Sequence, residues 1–206
     1  MLRQIVTEVS RKQLQEDLEK YKTYALELGA TDAKIIRSED VVVEYRVIAK
    51  CLVPRCPVSG TNVNCPPHSL APKKVQRLIN EFQYGIFFKV DGPYETSVTK
   101  SQQMKMKSLE VVGRLEARTY YDGYYLAVGF GGASCKTTLC PEQDCSALKP
   151  GEACRHPLRG RPSMHAVGMD AYKMAAQVGW EIYPIGKETQ ATEVPFITHL
   201  GLILVH

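Results

Sequence analysis

Residues 124–154 read YYLAVGFGGASCKTTLCPEQDCSALKPGEAC. The aromatic and β-branched run from Tyr124 to Phe130 predicts a strand. It passes directly into Gly131, Gly132 and four cysteines, Cys135, Cys140, Cys145 and Cys154. A strand that ends in a cysteine-rich loop implies a sheet as scaffold, with the chemistry carried where strands stop.

Outward from this stretch, helical and extended patterns alternate. Upstream, Ser10 and Gln13 have the spacing of a capping box, and Leu14, Leu18, Tyr21, Ala25 and Leu28 recur at helical steps until Gly29. Ala33 to Arg37 predicts a short strand, and Val41 to Ala49 fits helix and strand equally well. Pro72 suits the first turn of a helix whose buried stripe is Val75, Leu78, Ile79 and Phe82, stopped by Tyr84 and Gly85. Ile86 to Val90 reads as a buried strand, Asp91 to Pro93 as a turn, and Thr99 to Tyr120 as a further helix. Downstream, Pro162 opens a predicted helix with Met164, Val167, Ala171, Met174 and Val178 inward and Gly179 as its stop. Trp180 to Tyr183 and Ile197 to Val205 supply two closing strands. The expected fold is α/β: a single compact domain over residues 1–206, with a central sheet of four to five strands layered with helices and cysteine-rich loops at strand ends.

Composition bounds the rest. The 206 residues, 44% of them hydrophobic, suffice for one sizeable core. The opening MLRQIVTEVSRKQLQ is charged throughout and lacks the apolar run of a signal peptide or membrane span, so a cytoplasmic location is expected. In that reducing compartment seven cysteines at short intervals, an odd number, read as metal ligands or redox groups before disulfides. The net charge of +4 comes from 26 basic residues dispersed among 22 acidic ones, without a basic arm, so neither nucleic acid nor a membrane is expected as partner. Lys100, Lys105 and Lys107 read as a solvated helix face.

The second cysteine group has the spacing C-x4-C-x4-C-x8-C. Structural zinc sites are usually built from C-x2-C knuckles, which neither pair here offers, whereas cubane iron–sulfur clusters accept wider spacing. Pro141 follows Cys140, as Pro57 follows Cys56 and Pro66 follows Cys65, and proline can pack as an apolar lid on a cluster sulfur. The run GFGGAS from Gly129 to Ser134 can bring backbone amides to a negatively charged cluster; it lacks the Lys of a phosphate loop.

The first group, Cys51, Cys56 and Cys65, has the spacing C-x4-C-x8-C and stops one short of four. The fourth position of such a site falls to His68, to a distant group, or to no protein residue, and an open iron would be a Lewis acid. No cysteine stands out as a single activated nucleophile with its own base. His156 and His165 read as residues around a cluster or as helix caps, and Arg155 and Arg161 as charges that offset one.

In these features the chain resembles a family of predicted metal-binding proteins of unknown function, found mainly in anaerobic bacteria and archaea. The resemblance lies in the cysteine pair ahead of Asn64-Cys65-Pro66-Pro67, the four-cysteine segment, and Cys154-Arg155-His156-Pro157 followed by Arg161-Pro162-Ser163-Met164 and Gly168-Met169-Asp170. It spans Val43 to Trp180 and implies metal binding through these cysteines, with no established reaction. The expected function is therefore an iron–sulfur protein with two 4Fe–4S clusters in electron transfer or cofactor activation. The alternatives are a catalyst with an open iron on the three-cysteine cluster and a zinc-stabilised interaction module. The expected partner is a redox protein or a small-molecule substrate, and a homodimer stays open.

Overall fold

The structure is a computed structural model that describes residues 3–94, 98–186, 188–190 and 192–206. Four strands form one sheet: β1 (Asp32–Arg37), β2 (Tyr84–Gly92), β3 (Val128–Phe130) and β4 (Ile197–Leu204), in the order β1-β2-β4-β3. Every neighbouring pair runs antiparallel. Strand period two sends successive side chains to opposite faces, and β2 and β4 are apolar on both. Ile86, Phe88, Val90, Ile203 and Val205 face helices α1 (Arg11–Glu27) and α4 (Val98–Tyr121). Phe87, Leu200, Leu202 and Leu204 face α3 (Pro72–Ile79), α6 (Ala171–Gln177) and the irregular segment between Met164 and Met169. The mixed α/β sheet covered by helices is thus the expected architecture, buried on both faces. Gly201 is required at its centre, because a Cβ there would come within 2.3 Å of the Phe88 ring.

Helix α1 begins where Ser10 Oγ accepts the Gln13 amide at 3.2 Å and buries Leu14, Leu18, Tyr21 and Ala25. Its face also buries Asp17, which accepts from both guanidinium nitrogens of Arg3 and from Tyr124 Oη at 2.8 Å. Burial opposes the charge, but these donors hold the Asp17 carboxyl below its usual range. Asp122 is held down in the same way by Lys20 and Arg118. These ionic ties fasten the N-terminal segment and α1 to the end of α4.

Several expected boundaries shift. Tyr84 and Gly85 belong to β2 rather than ending α3, and Asp91 and Gly92 extend that strand instead of forming a turn. The strand expected over Tyr124 to Phe130 is reduced to Val128–Phe130, because Ala127 donates back to the Tyr124 carbonyl in a turn. Val41 to Ala49 divides: Val43 bridges Met169, and α2 (Tyr45–Leu52) follows. The helix expected from Pro162 starts only at Ala171, where the Asp170 side chain accepts the Lys173 amide at 3.0 Å. Before it, Ser163 bridges Gly131 and the chain makes one 3-10 turn ending at Gly168, φ +88°. Trp180 to Tyr183 is no strand. Trp180 instead plugs the core against Phe87, ring centroids 4.9 Å apart, and donates Nε1–H to Asp32 at 2.8 Å. Among the described residues no helix is long and apolar enough to cross a membrane.

Candidate metal centre

The three cysteines of the first group lie in and just beyond α2. Cys51 occupies its last turn, and the Cys56 amide donates to the Cys51 carbonyl at 2.9 Å. From there to Cys65 the loop is held mostly by its own polar groups. Ser59 Oγ and the Gly60 amide both donate to the Pro66 carbonyl, at 3.0 and 2.7 Å. Asn62, 1% exposed, donates to the Val58 carbonyl and accepts the Asn64 amide at 3.0 Å. Cys65 is buried, and its carbonyl receives the amides of His68 and Ser69. The His68 side chain itself is exposed.

The second group is mounted on the scaffold. After β3, the Gly131 amide donates to Pro162 at 2.8 Å, so it is committed to the chain beside it and not offered to a ligand. Gly132 is needed for close packing: a Cβ there would lie 2.3 Å from the Leu200 carbonyl oxygen of β4. Gly131 is thus withdrawn from the amide donors expected of this run, and Gly132 adds a close approach that the sequence does not announce. Cys135 then opens a short helix, α5 (Cys135–Leu139), which α4 holds through Gln102 Nε2 bonds to the Thr137 and Thr138 carbonyls at 2.9 and 3.0 Å. Lys136 Nζ closes its end on the Cys140 and Pro141 carbonyls. The loop through Cys145 is braced by Ser146 Oγ on Ala153 at 2.7 Å and by Arg155 on the Asp144 carbonyl at 2.5 Å.

Cys135, Cys140, Cys145 and Cys154 line one small cavity, together with Asn62, Asn64, Arg155 and His156. The His156 amide donates to Cys154 Sγ at 3.4 Å. Gly160 approaches the same sulfur so closely that a Cβ would lie 3.0 Å from it. Burial pushes the Cys135 thiol up to about 11; the Asn64 amide works against this, and the neighbouring charges of Cys65, Cys154 and Cys145 add to it. In the first group burial likewise raises Cys51, with Cys56 and Cys65 adding to it.

The two groups meet. Asn64 Nδ2 donates to Cys135 Sγ at 3.3 Å, and Cys65 Sγ lies 3.8 Å from Ser134 Oγ. Seven thiols thus share one region of the surface. Among the described residues, however, no three Cys, His, Asp or Glu side chains gather tightly enough to hold a single metal ion. A zinc–sulfur bond of about 2.3 Å requires tetrahedral thiolates about 3.8 Å apart. The donors are soft and numerous, as a thiolate-bound metal centre demands.

Other expected participants stand elsewhere. Arg161 makes a two-point pair with Glu116, at 2.6 and 2.9 Å, so its charge is matched within the scaffold. His165 lines a different cavity of about 210 Å³, edge-on to Tyr172 at 5.4 Å, and burial lowers its pKa. Lys105 is partly buried rather than solvated; with burial it drives the pKa of His199 in β4 down to about 4. Pro66 is buried as a lid would be, while Pro57 and Pro141 are exposed. Asn62 and Gly160 are not expected at the site from the sequence; Asn64 carries a signal only in its place beside Cys65 in the Asn-Cys-Pro-Pro motif, and Ser134 only as the end of the GFGGAS run.

No curated protein and no solved structure matches the chain. One family model does, over residues 34–205, reaching beyond the expected Val43 to Trp180 at both ends to take in all of the sheet except Asp32 and Ala33 of β1. That match covers both thiol groups, and the chain belongs to the family of predicted metal-binding proteins designated DUF2284.

Proposed function

We propose that the protein holds two 4Fe–4S clusters, one on Cys135, Cys140, Cys145 and Cys154 and one on Cys51, Cys56 and Cys65, and passes electrons within a redox or cofactor-activation system. The observation that carries this reading is the second group: the four thiols of the C-x4-C-x4-C-x8-C segment line one cavity. Bound clusters supply one-electron chemistry. The chain's own part is to exclude water and place donors. Cys65 is buried, the Asn64 amide and the His156 backbone amide point at sulfurs, and Arg155 stands at the cavity wall. Hydrogen bonds to cluster sulfurs and burial are the features through which a protein sets a cluster's potential. The contact between the two loops suits electron exchange between the groups. Thiolate ligands need a reducing compartment, which makes the cytoplasm the location this reading requires.

Anaerobic purification tests it. The expected product is brown, with about eight irons and eight sulfides per chain if both clusters are of the 4Fe–4S type. A colourless protein that takes up only zinc overturns the reading in favour of a zinc-stabilised interaction module.

A second reading, catalysis at an open iron, is favoured by one observation: the first group has three thiols, and the side chain of His68, the histidine that follows them in sequence, is exposed. An iron without a protein ligand can bind a small substrate. Added cyanide or a small thiolate is then expected to change the EPR signal of the first cluster alone. An unchanged signal overturns catalysis at that iron and leaves electron transfer.

A further inference from the structure

The contacts between the two loops are crossed. Asn64, the neighbour of Cys65 in the first group, donates its side-chain amide to Cys135 of the second at 3.3 Å. Ser134, the neighbour of Cys135 in the second group, sets its hydroxyl 3.8 Å from Cys65 of the first. Neither link residue is loosely held. The Asn64 backbone amide is fixed on Asn62 Oδ1 at 3.0 Å, and Asn62 is anchored on the Val58 carbonyl and its Oδ1 lies 3.9 Å from Cys135 Sγ. Ser134 heads α5, its carbonyl receiving the Thr138 amide and the Thr137 hydroxyl, both at 3.2 Å. A shift of Cys65 therefore carries Asn64 with it and changes what Cys135 receives. A shift of Cys135 carries Ser134 and changes what Cys65 receives.

We propose that Asn64 and Ser134 form a crossed link that couples the two thiol groups, so that filling either group raises the metal affinity of the other. The inference rests on the reading that both groups hold metal; it does not depend on which metal. The physical basis is that a polar hydrogen aimed at a thiolate stabilises its negative charge, and charge-assisted bonds are the stronger class. A filled first group fixes Cys65, and with it the Asn64 donor, at the position Cys135 needs. The coupling must be reciprocal, since a change in affinity at one site caused by the other is equal in both directions.

The experiment uses the full chain with zinc as probe, its affinity read by competition with a chromophoric chelator, alongside anaerobic reconstitution with iron and sulfide. Cys56→Ser, or Cys51→Ser should that variant not fold, disables the first group, and Cys145→Ser disables the second. Each group is expected to bind about tenfold more tightly when the other is intact, within the usual range of coupling between sites. In Asn64→Leu/Ser134→Ala the factor falls to about one. Asn64→Asp, which keeps the size and loses the donor, serves where leucine disturbs folding, and circular dichroism confirms the native fold. In the reconstituted protein either Asn64 variant is expected to lower the reduction potential of the four-cysteine cluster, an electrostatic effect that loss of packing would not order as leucine, then aspartate, in increasing size. A factor of one in the unmodified chain, or a factor that survives the double substitution, overturns the link. Zinc binding with no iron–sulfide uptake overturns the cluster reading alone and leaves the link to be decided by the zinc factors. A chain that binds neither overturns both.

Discussion

The two thiol loops differ in how far they are tied to the rest of the fold. The first, from Cys51 to Pro66, is held largely by hydrogen bonds that begin and end within it: Ser59 and Gly60 to Pro66, Asn62 to Val58, Arg55 to the Ser59 carbonyl at 3.2 Å. The second, from Cys135 to Gly160, has internal braces of its own in Ser146 and Arg155, and is in addition gripped and flanked by the scaffold. Gln102 of α4 grips α5, Gly131 bridges Ser163, and Arg161 joins the far end to Glu116. A loop tied to a folded scaffold keeps its donors in place whether or not a ligand is bound, while one that closes on itself must draw more of its order from what it binds. The second loop is therefore the pre-arranged site and the first the responsive one.

The sharpest challenge to this contrast is that both loops simply follow the stability of the scaffold. Asp17→Ala addresses it. Removing a buried carboxylate that Arg3 and Tyr124 both contact is expected to destabilise the fold by about 2–3 kcal/mol in denaturant titration, the partly exposed Arg3 being left to water, yet to leave metal stoichiometry unchanged below the transition. Acid makes the same point without a substitution. Because the folded-state pKa of Asp17 lies below its unfolded value, its contribution is fully present above the unfolded pKa and is lost as pH falls through the folded one. The onset of acid unfolding is thus expected below about pH 4, and Asp17→Asn is expected to flatten that slope. In Asp17→Ala at neutral pH, where acid does not itself strip thiolate-bound metal, a change in metal content ahead of unfolding would tie the loops to the scaffold after all.

Next in size is Arg161→Ala. It leaves Glu116 partly buried without its two-point partner, and a loss of about 2 kcal/mol is expected, within the range for hydrogen bonds to charged groups. Hydrogen exchange should rise over residues 155–164 and stay unchanged over 53–66. Equal increases in both loops would erase the distinction between them.

How far sequence alone carries depends on the range of the interaction that decides each element. Helix α1, strand β4 and the centre of β2 were legible because one local pattern governs each: Leu14, Leu18, Tyr21 and Ala25 on one face of a helix, and Ile86, Phe87, Phe88 and Val90 in one apolar run broken only by Lys89. The Pro162 segment shows the limit. Met164, Val167, Ala171, Met174 and Val178 are buried or partly buried at a helical period, but the first two reach the core from a loop held by Gly131 and a turn at Gly168. The period reported burial correctly and local conformation wrongly. Trp180 failed for a similar reason: its partners, Phe87 and Asp32, lie far away in sequence. At the site, the cysteines were legible from spacing, while the crossing of Asn64 with Cys135 joins residues 71 apart and leaves no local pattern. Gly160 gave no sign, because its need for a missing side chain arises only from the sulfur beside it.

Two smaller tests sharpen the comparison from the side of each loop. Ser59→Ala removes one of two donors to the buried Pro66 carbonyl, and with the Gly60 amide still bonded there the expected loss is about 1 kcal/mol or less. Its effect should be local, seen as faster exchange over residues 56–66, and should shrink once metal is bound if bound metal restores the loop. Gly160→Ala is the counterpart in the second loop. The added methyl would lie 3.0 Å from both Cys154 Sγ and the His156 carbonyl oxygen, so either the sulfur or the backbone must give way by a few tenths of an ångström. The scaffold ties fix the backbone on that side through Arg161 bonds to Pro157 and Glu116, which leaves the sulfur to move. The expected result is a global stability within about 1 kcal/mol of the unsubstituted chain, the range of a mild overpacking, together with weakened metal retention at the second group against a chelator. Unchanged retention with lost stability would mean that the backbone yielded instead, and that the second loop is less firmly arranged than its outward ties imply.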